Sequence, residues 1–222
     1  MTTTTARRAK KHINEDQLVS TTFRLTEWAQ SHFNQVIIGV VVLVAVVAVV
    51  VFVANTRESS ARAAEREMGT GLTLMQQGDL AAAQGSFKQI VERHGGAQAA
   101  AARFFKAECE LHQNNYREAL EDYDAYLGTV GSYPLFEASA LVGKALALEG
   151  LENFPEAAKT MAAAVDKLDA KDPRRLDSAY LAGEFYQRAG QTTEAAKYFD
   201  MVAKDGTGDL RARANVAAEL LK

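Results

Sequence analysis

NNYREALEDYDAYL, residues 114–127, has the apolar spacing of an amphipathic helix, and its skeleton returns three more times along the chain. The other copies are GDLAAAQGSFKQIV from Gly78, ENFPEAAKTMAAAV from Glu152 and GQTTEAAKYFDMVA from Gly190. One amphipathic helix fits almost any fold, whereas four at a near-constant period define a repeat. The alanines Ala83, Ala119, Ala157 and Ala195 stand 36, 38 and 38 residues apart. Four residues after each comes a bulky side chain: Phe87, Tyr123, Met161 and Phe199. Twelve before each comes a small residue: Gly71, Ala107, Ala145 and Gly183. Side-chain bulk at the contact sets the distance between helices, so paired small residues let two rods approach closely. The bulky residue then fills the gap towards the next pair. The turns between rods read QGD, QNN, LEN and AGQ, polar and rich in Gly and Asn as helical hairpins require. The spacing predicts four helical hairpins. GDLRARANVAAELLK from Gly208 predicts a closing helix with Leu210, Ala214, Ala217, Ala218 and Leu221 turned inward, covering the end of the stack.

The rest of the composition agrees with an all-α chain. Only three prolines occur (Pro134, Pro155, Pro173), and outside residues 36–54 no Val/Ile-rich alternation marks a strand. A single cysteine, Cys109, excludes an intrachain disulfide and a thiolate metal cluster. Charge is unevenly spread. Arg7, Arg8, Lys10, Lys11 and Arg24 oppose Glu15, Asp16 and Glu27 in residues 1–35, whereas residues 55–222 are net acidic. No dense cationic surface is available to offset phosphate repulsion, so nucleic acid is not an expected partner.

VIIGVVVLVAVVAVVVFVA, residues 36–54, is free of charge and contains eleven valines. As a helix it would span roughly 28 Å, near the thickness of a bilayer's hydrocarbon core. Valine's poor helix propensity is overruled in lipid, where only a helix pairs every backbone amide within its own segment. A cleaved signal peptide fits poorly. The preceding 35 residues are too long for its basic lead, and ARA at 61–63 lies too far beyond the run for cleavage. The expectation is a retained single-pass anchor in contact with the lipid bilayer. Five Lys/Arg precede the run, and Arg57, Arg62 and Arg66 follow closely. That margin orients the N-terminus to the cytoplasm and carries the larger domain across the inner membrane to the periplasm. The expected boundaries are 1–35 for a cytoplasmic arm, 36–54 for the anchor, 55–63 for a linker and 64–222 for the repeats. In the arm, NEDQ at 14–17 has a capping-box pattern, followed by Leu18, Leu25, Ala29 and Phe33 on one face. The arm reads either as an interfacial helix with Trp28 at the headgroups or as a partly ordered lead-in.

Catalytic patterns are missing. His12, His32, His94 and His112 lie in separate elements without ligand spacing, and His94 sits at a helix end where the last carbonyls are its expected partners. GTGLTLMQQG near Gly69 has neither a preceding strand nor the lysine of a phosphate loop. Cys109, flanked by Glu108 and Glu110, reads as a small core residue, and the carboxylates read as scattered over solvated faces. No enzyme, cofactor, metal or small-molecule substrate is expected.

The small residue, Ala and Phe/Tyr positions resemble the tetratricopeptide repeat over residues 64–204. The family's first-helix Trp is replaced by Glu67, Arg103, Leu141 and Ala179, and the repeats run two to four residues long. The resemblance implies an α-solenoid whose first helices line a concave, protein-binding face. Counted from the small residues, that face holds Met68, Leu72 and Met75; Phe104, Glu108 and Leu111; Val142, Leu146 and Glu149; Tyr180, Glu184 and Gln187. The layout of charged arm, anchor and repeats is also similar to the ancillary subunit family of the bacterial Sec translocon. That likeness implies an adaptor that meets the translocon, chaperones or unfolded secreted clients. A structural scaffold subunit of another envelope complex is the alternative.

Overall fold

The computed structural model describes residues 33–221, and no strand occurs among them. The N-terminal arm, with NEDQ and Trp28, lies outside the described residues. The chain divides after Arg57 into two compact units. Helix α1, Phe33–Gln76, contributes its first part to one unit and its remainder to the other.

In the first unit, every described side chain from 41 to 53 is exposed, from 40% at Val53 to 69% at Phe52 for the large ones. These thirteen consecutive residues rise about 20 Å along a helix. Among the described residues no helix is long and apolar enough to cross a membrane.

The second unit is an all-α solenoid of successive helical hairpins. The end of α1 pairs with α2, Leu80–Arg93. Then come α3, Gly96–His112, with α4, Tyr116–Leu127, and α5, Glu137–Gly150, with α6, Phe154–Lys167. The fourth pair is α7, Arg174–Arg188, with α8, Thr192–Asp205. The final helix α9, Gly208–Glu219, packs on α8 and buries Ala214 and Ala218.

The same backbone device makes all four hairpin turns. Gly78, Asn114, Glu152 and Gly190 each adopt positive φ, at 82°, 61°, 59° and 72°. Each lies just past the end of a first helix. Its amide bonds back three residues, and the next amide reaches back five, as with Gly78 to Met75 and Asp79 to Leu74. This is the Schellman closure, which satisfies carbonyls left over at a helix end and needs one left-handed residue. Asp79 then caps α2 by accepting the Ala82 amide at 3.1 Å.

Close packing follows the small–large pattern. Ala83, Ala107, Ala119, Ala145, Ala157 and Ala195 are fully buried, as are Phe87, Tyr123, Met161 and Phe199. A Cβ placed on Gly71 would stand 2.6 Å from the Phe87 ring, and on Gly183 the same distance from Phe199. Those helices pass closer than any other side chain would allow. Gly143, outside the aligned positions, does the same between hairpins, since a Cβ there would stand 2.3 Å from Tyr123.

The insertion before α5 is fastened rather than loose. The Tyr126 hydroxyl donates to the Tyr133 carbonyl at 2.9 Å and accepts from the Phe136 amide at 2.8 Å. A 3-10 turn over Pro134–Phe136 then lays the Phe136 ring on Phe104, with centroids 4.6 Å apart and planes within 4°.

Two sequence expectations need correction. The carboxylates are not all solvated, because Glu110 is 1% exposed. The equivalent position, three after the small residue, holds Leu74, Leu148 and Tyr186 in the other hairpins, and here a polar cluster takes its place. Glu110 Oε1 accepts from Lys106 at 2.5 Å and from Gln84 at 2.8 Å, Lys106 also binds Asp122, and Arg103 stands 3.6 Å from Asp122. Arg103 thus fills the missing tryptophan's place by ion pairing to α4. His94 does not use its ring on helix carbonyls. Its Nδ1 lies 2.9 Å from Ser60 Oγ and its Nε2 3.5 Å from Glu67, because the ring is folded against α1.

Candidate partner-binding groove

First helices two, three and four come together on one side of the stack. α3, α5 and α7 wall a cavity of about 420 Å³. Five residues expected on the concave face line it: Phe104, Glu108 and Leu111 from α3, and Val142 and Leu146 from α5. Their spacing of three and four residues puts each set on one helical stripe, so the α-helical period alone aligns them. Phe104 is held by the Phe136 stack and is 5% exposed, which makes it a rigid apolar floor.

Polar groups ring that floor. The Tyr123 hydroxyl donates to Glu108 Oε1 at 2.6 Å. Burial pushes the Glu108 carboxyl above the ordinary glutamate range, and the Tyr123 hydrogen bond and the nearby His112 pull the other way without cancelling it. Tyr123 is itself raised, by burial first and then by the Glu108 charge. Arg174 also lines the cavity, yet its guanidinium is committed to Asp172, at 2.7 and 3.1 Å, and to Ser139 Oγ at 3.1 Å. Asp177 and Ser178 complete the wall on α7.

The other residues expected on the concave face do not line this cavity. Met68, Leu72 and Met75 pack against the Ala83–Phe87–Ile90 core of the first hairpin. Tyr180 and Gln187 line a second, open cavity of about 450 Å³ with residues of α9, where Arg213 stands 4.4 Å over the Tyr180 ring. Glu184 is half-buried on α7 and lines neither cavity, and Glu149 is bound by Arg188 at 2.7 Å. Sequence reasoning missed Gly143, Leu181, and the pair Ser139 and Asp177. The last two stand six residues before the small positions Ala145 and Gly183, so the repeat register itself could have found them.

Cys109 is fully buried, and burial with the charges of Glu108 and Glu110 pushes its thiol up to about 11. A thiolate nucleophile needs the opposite environment.

The profile of the tetratricopeptide repeat matches residues 68–134 and 137–209. The chain belongs to the tetratricopeptide-repeat family. Repeats of this family form protein-interaction scaffolds, typically non-catalytic, and the site described here agrees with that use. Among solved structures, the chain is similar to nearly identical TPR-like repeats of kinesin-light-chain type from Podosopora anserina. Identity is 17%, coverage 71% of this chain and 84% of the other, and the TM-score 0.58. It is also similar to MamA RS-1, an ArsTM double mutant, at 22% identity, 65% and 78% coverage and a TM-score of 0.55. At these identities the likeness is one of fold. No curated protein sequence matches the chain.

Proposed function

We infer that this protein is a membrane-anchored adaptor of the bacterial envelope, holding protein partners in the groove between α3, α5 and α7. The observation that carries the reading is the cavity itself. A rigid aromatic floor, aliphatic walls and a few fixed polar groups form the kind of concave surface that accepts side chains of a docking segment. Membrane anchoring is supported by the exposed apolar side chains of 41–53, a continuous patch of a size that soluble surfaces avoid, and by the charge-free run 36–54 that contains them. The Lys/Arg excess before the run supports the periplasmic side for the repeats. The role near the Sec translocon, with chaperones or unfolded secreted clients as partners, rests on the layout of arm, anchor and repeats.

Photoreactive residues placed at 104 and 146 in cells should crosslink to a defined set of proteins, and a charged residue at Leu146 should abolish that set while the fold survives. An alkaline-phosphatase fusion at Lys222 should be active. Crosslinks that ignore the Leu146 change would sink the groove, and an inactive fusion would reverse the topology.

A further inference from the structure

The groove presents carboxylates whose neighbouring cations are already engaged. Glu108 and Asp177 line it from α3 and α7. Arg174 is spent on Asp172, Arg188 on Glu149, and Lys106 on Glu110 and Asp122. Tyr123 satisfies one oxygen of Glu108 with a neutral hydroxyl, which leaves the carboxylate's charge uncompensated by any Lys or Arg among the described residues. Burial raises the affinity of Glu108 for its proton, and the Tyr123 hydrogen bond and His112, which also lines the groove, offset that only in part.

We propose that the groove selects basic amphipathic segments of partner proteins, seating an apolar side chain on Phe104 and receiving the adjacent Lys or Arg at Glu108 and Asp177. This rests on the adaptor reading above and names the ligand class. An acidic segment would place like charge beside two carboxylates, a strong penalty in a partly desolvated site. A purely apolar segment would cover Glu108 without supplying the opposite charge that its burial calls for. A basic amphipathic segment satisfies both the floor and the rim. Arg174 does not reverse this preference, because its bidentate hold on Asp172 leaves the local pair neutral.

The test uses the full chain in nanodiscs of zwitterionic lipid, with empty nanodiscs as the blank. The probe is a short fluorescein-labelled peptide of Leu and Lys, with Leu at helical spacing, read by anisotropy. Two further probes replace every Lys by Glu or every Leu by Ser. The Leu/Lys peptide should bind, more weakly as salt rises, and the other two should not. Glu108→Gln together with Asp177→Asn should weaken binding about tenfold, as expected for one half-buried and one exposed charge contact. Asp177→Asn alone, an exposed position that leaves the Tyr123 bond intact, should give part of that loss. Glu118→Gln with Glu121→Gln, both exposed on α4, should leave affinity unchanged. Equal binding of the Leu/Glu peptide, or groove variants that behave like the α4 pair, would overturn the proposal. Tighter binding of a peptide of residues 5–28 would assign the groove to this chain's own basic arm and overturn the partner assignment. Failure of the Leu/Lys peptide while crosslinks from 104 and 146 persist would remove the ligand class and leave the adaptor reading standing.

Discussion

Gly183 faces Phe199 so closely that a Cβ on the glycine would stand 2.6 Å from ring carbon Cε1. Phe199 is fully buried and has no free direction in which to withdraw. Gly183→Ala should therefore destabilise the repeat unit. Overpacking costs of 1–3 kcal/mol outweigh a helix-propensity gain of about 1 kcal/mol, for a net loss of about 1 kcal/mol. Gly85, inside α2 with nothing within 4 Å of its Cβ site, is the control. Gly85→Ala should stabilise by about 0.5–1 kcal/mol. Urea denaturation of both variants reads the contrast, and equal shifts would refute the close-approach account.

Glu152 holds the left-handed position that Gly78 and Gly190 occupy in two other turns. A residue with a Cβ there costs on the order of 1–2 kcal/mol, and the Glu152 side chain is exposed. Glu152→Gly should stabilise the third hairpin by about 0.5 kcal/mol, once the greater freedom of glycine in the unfolded chain is subtracted. Gly190→Ala should do the reverse by about 1 kcal/mol. Thermal melts with both variants would show opposite displacements of Tm.

These two cases mark what was legible in the sequence. The Ala–bulky–small register located the hairpins because close helix approach restricts residue choice at a few positions, and Gly71, Ala83 and Phe87 state that restriction directly. Glu152 and Asn114 carry the same turn without glycine, so the period and the polar, Asn-bearing triplets QNN and LEN identified them. The groove was half legible. Phe104, Glu108, Leu111, Val142 and Leu146 follow from helical spacing, but which first helices share a cavity depends on how successive hairpins rotate. Met68, Leu72 and Met75 line no part of that cavity, and Tyr180 lines the one shared with α9. The Glu110 cluster was illegible for a different reason. A glutamate in sequence looks solvated until Gln84, Lys106 and Asp122 arrive from three helices.

Cys109 should be silent in the folded protein. Its side chain is fully buried and its thiol is held up to about 11 by burial and two glutamate charges, so at neutral pH neither access nor thiolate is available. Ellman's reagent should label Cys109 only as fast as the repeat unit opens under native conditions, and promptly in denaturant. Fast native labelling would show that α3 is not packed as described.

The pH dependence of stability offers the sharpest reading of the buried carboxylates. Glu108 and Glu110 are both raised above the ordinary glutamate range, in each case by burial first. Glu110 faces Lys106 on its own helix, Gln84 from α2 and Asp122 from α4; the Lys106 contacts lower its proton affinity and the Asp122 charge adds to it. Glu108 faces Tyr123 and His112, both of which favour ionisation. For an acid whose folded value exceeds its unfolded one, the folded state binds the proton more tightly. Stability from that difference is fully present below the unfolded value and is lost as pH rises through the folded value. These two groups should thus make the repeat unit lose stability on going from about pH 4.5 towards neutrality, against the trend of ordinary surface carboxylates. Glu110→Gln removes one of the two titrations while keeping an acceptor for Lys106 and Gln84. The slope of unfolding free energy against pH should become less negative in the variant, and an unchanged slope would mean that Glu110 ionises as freely as a solvated side chain.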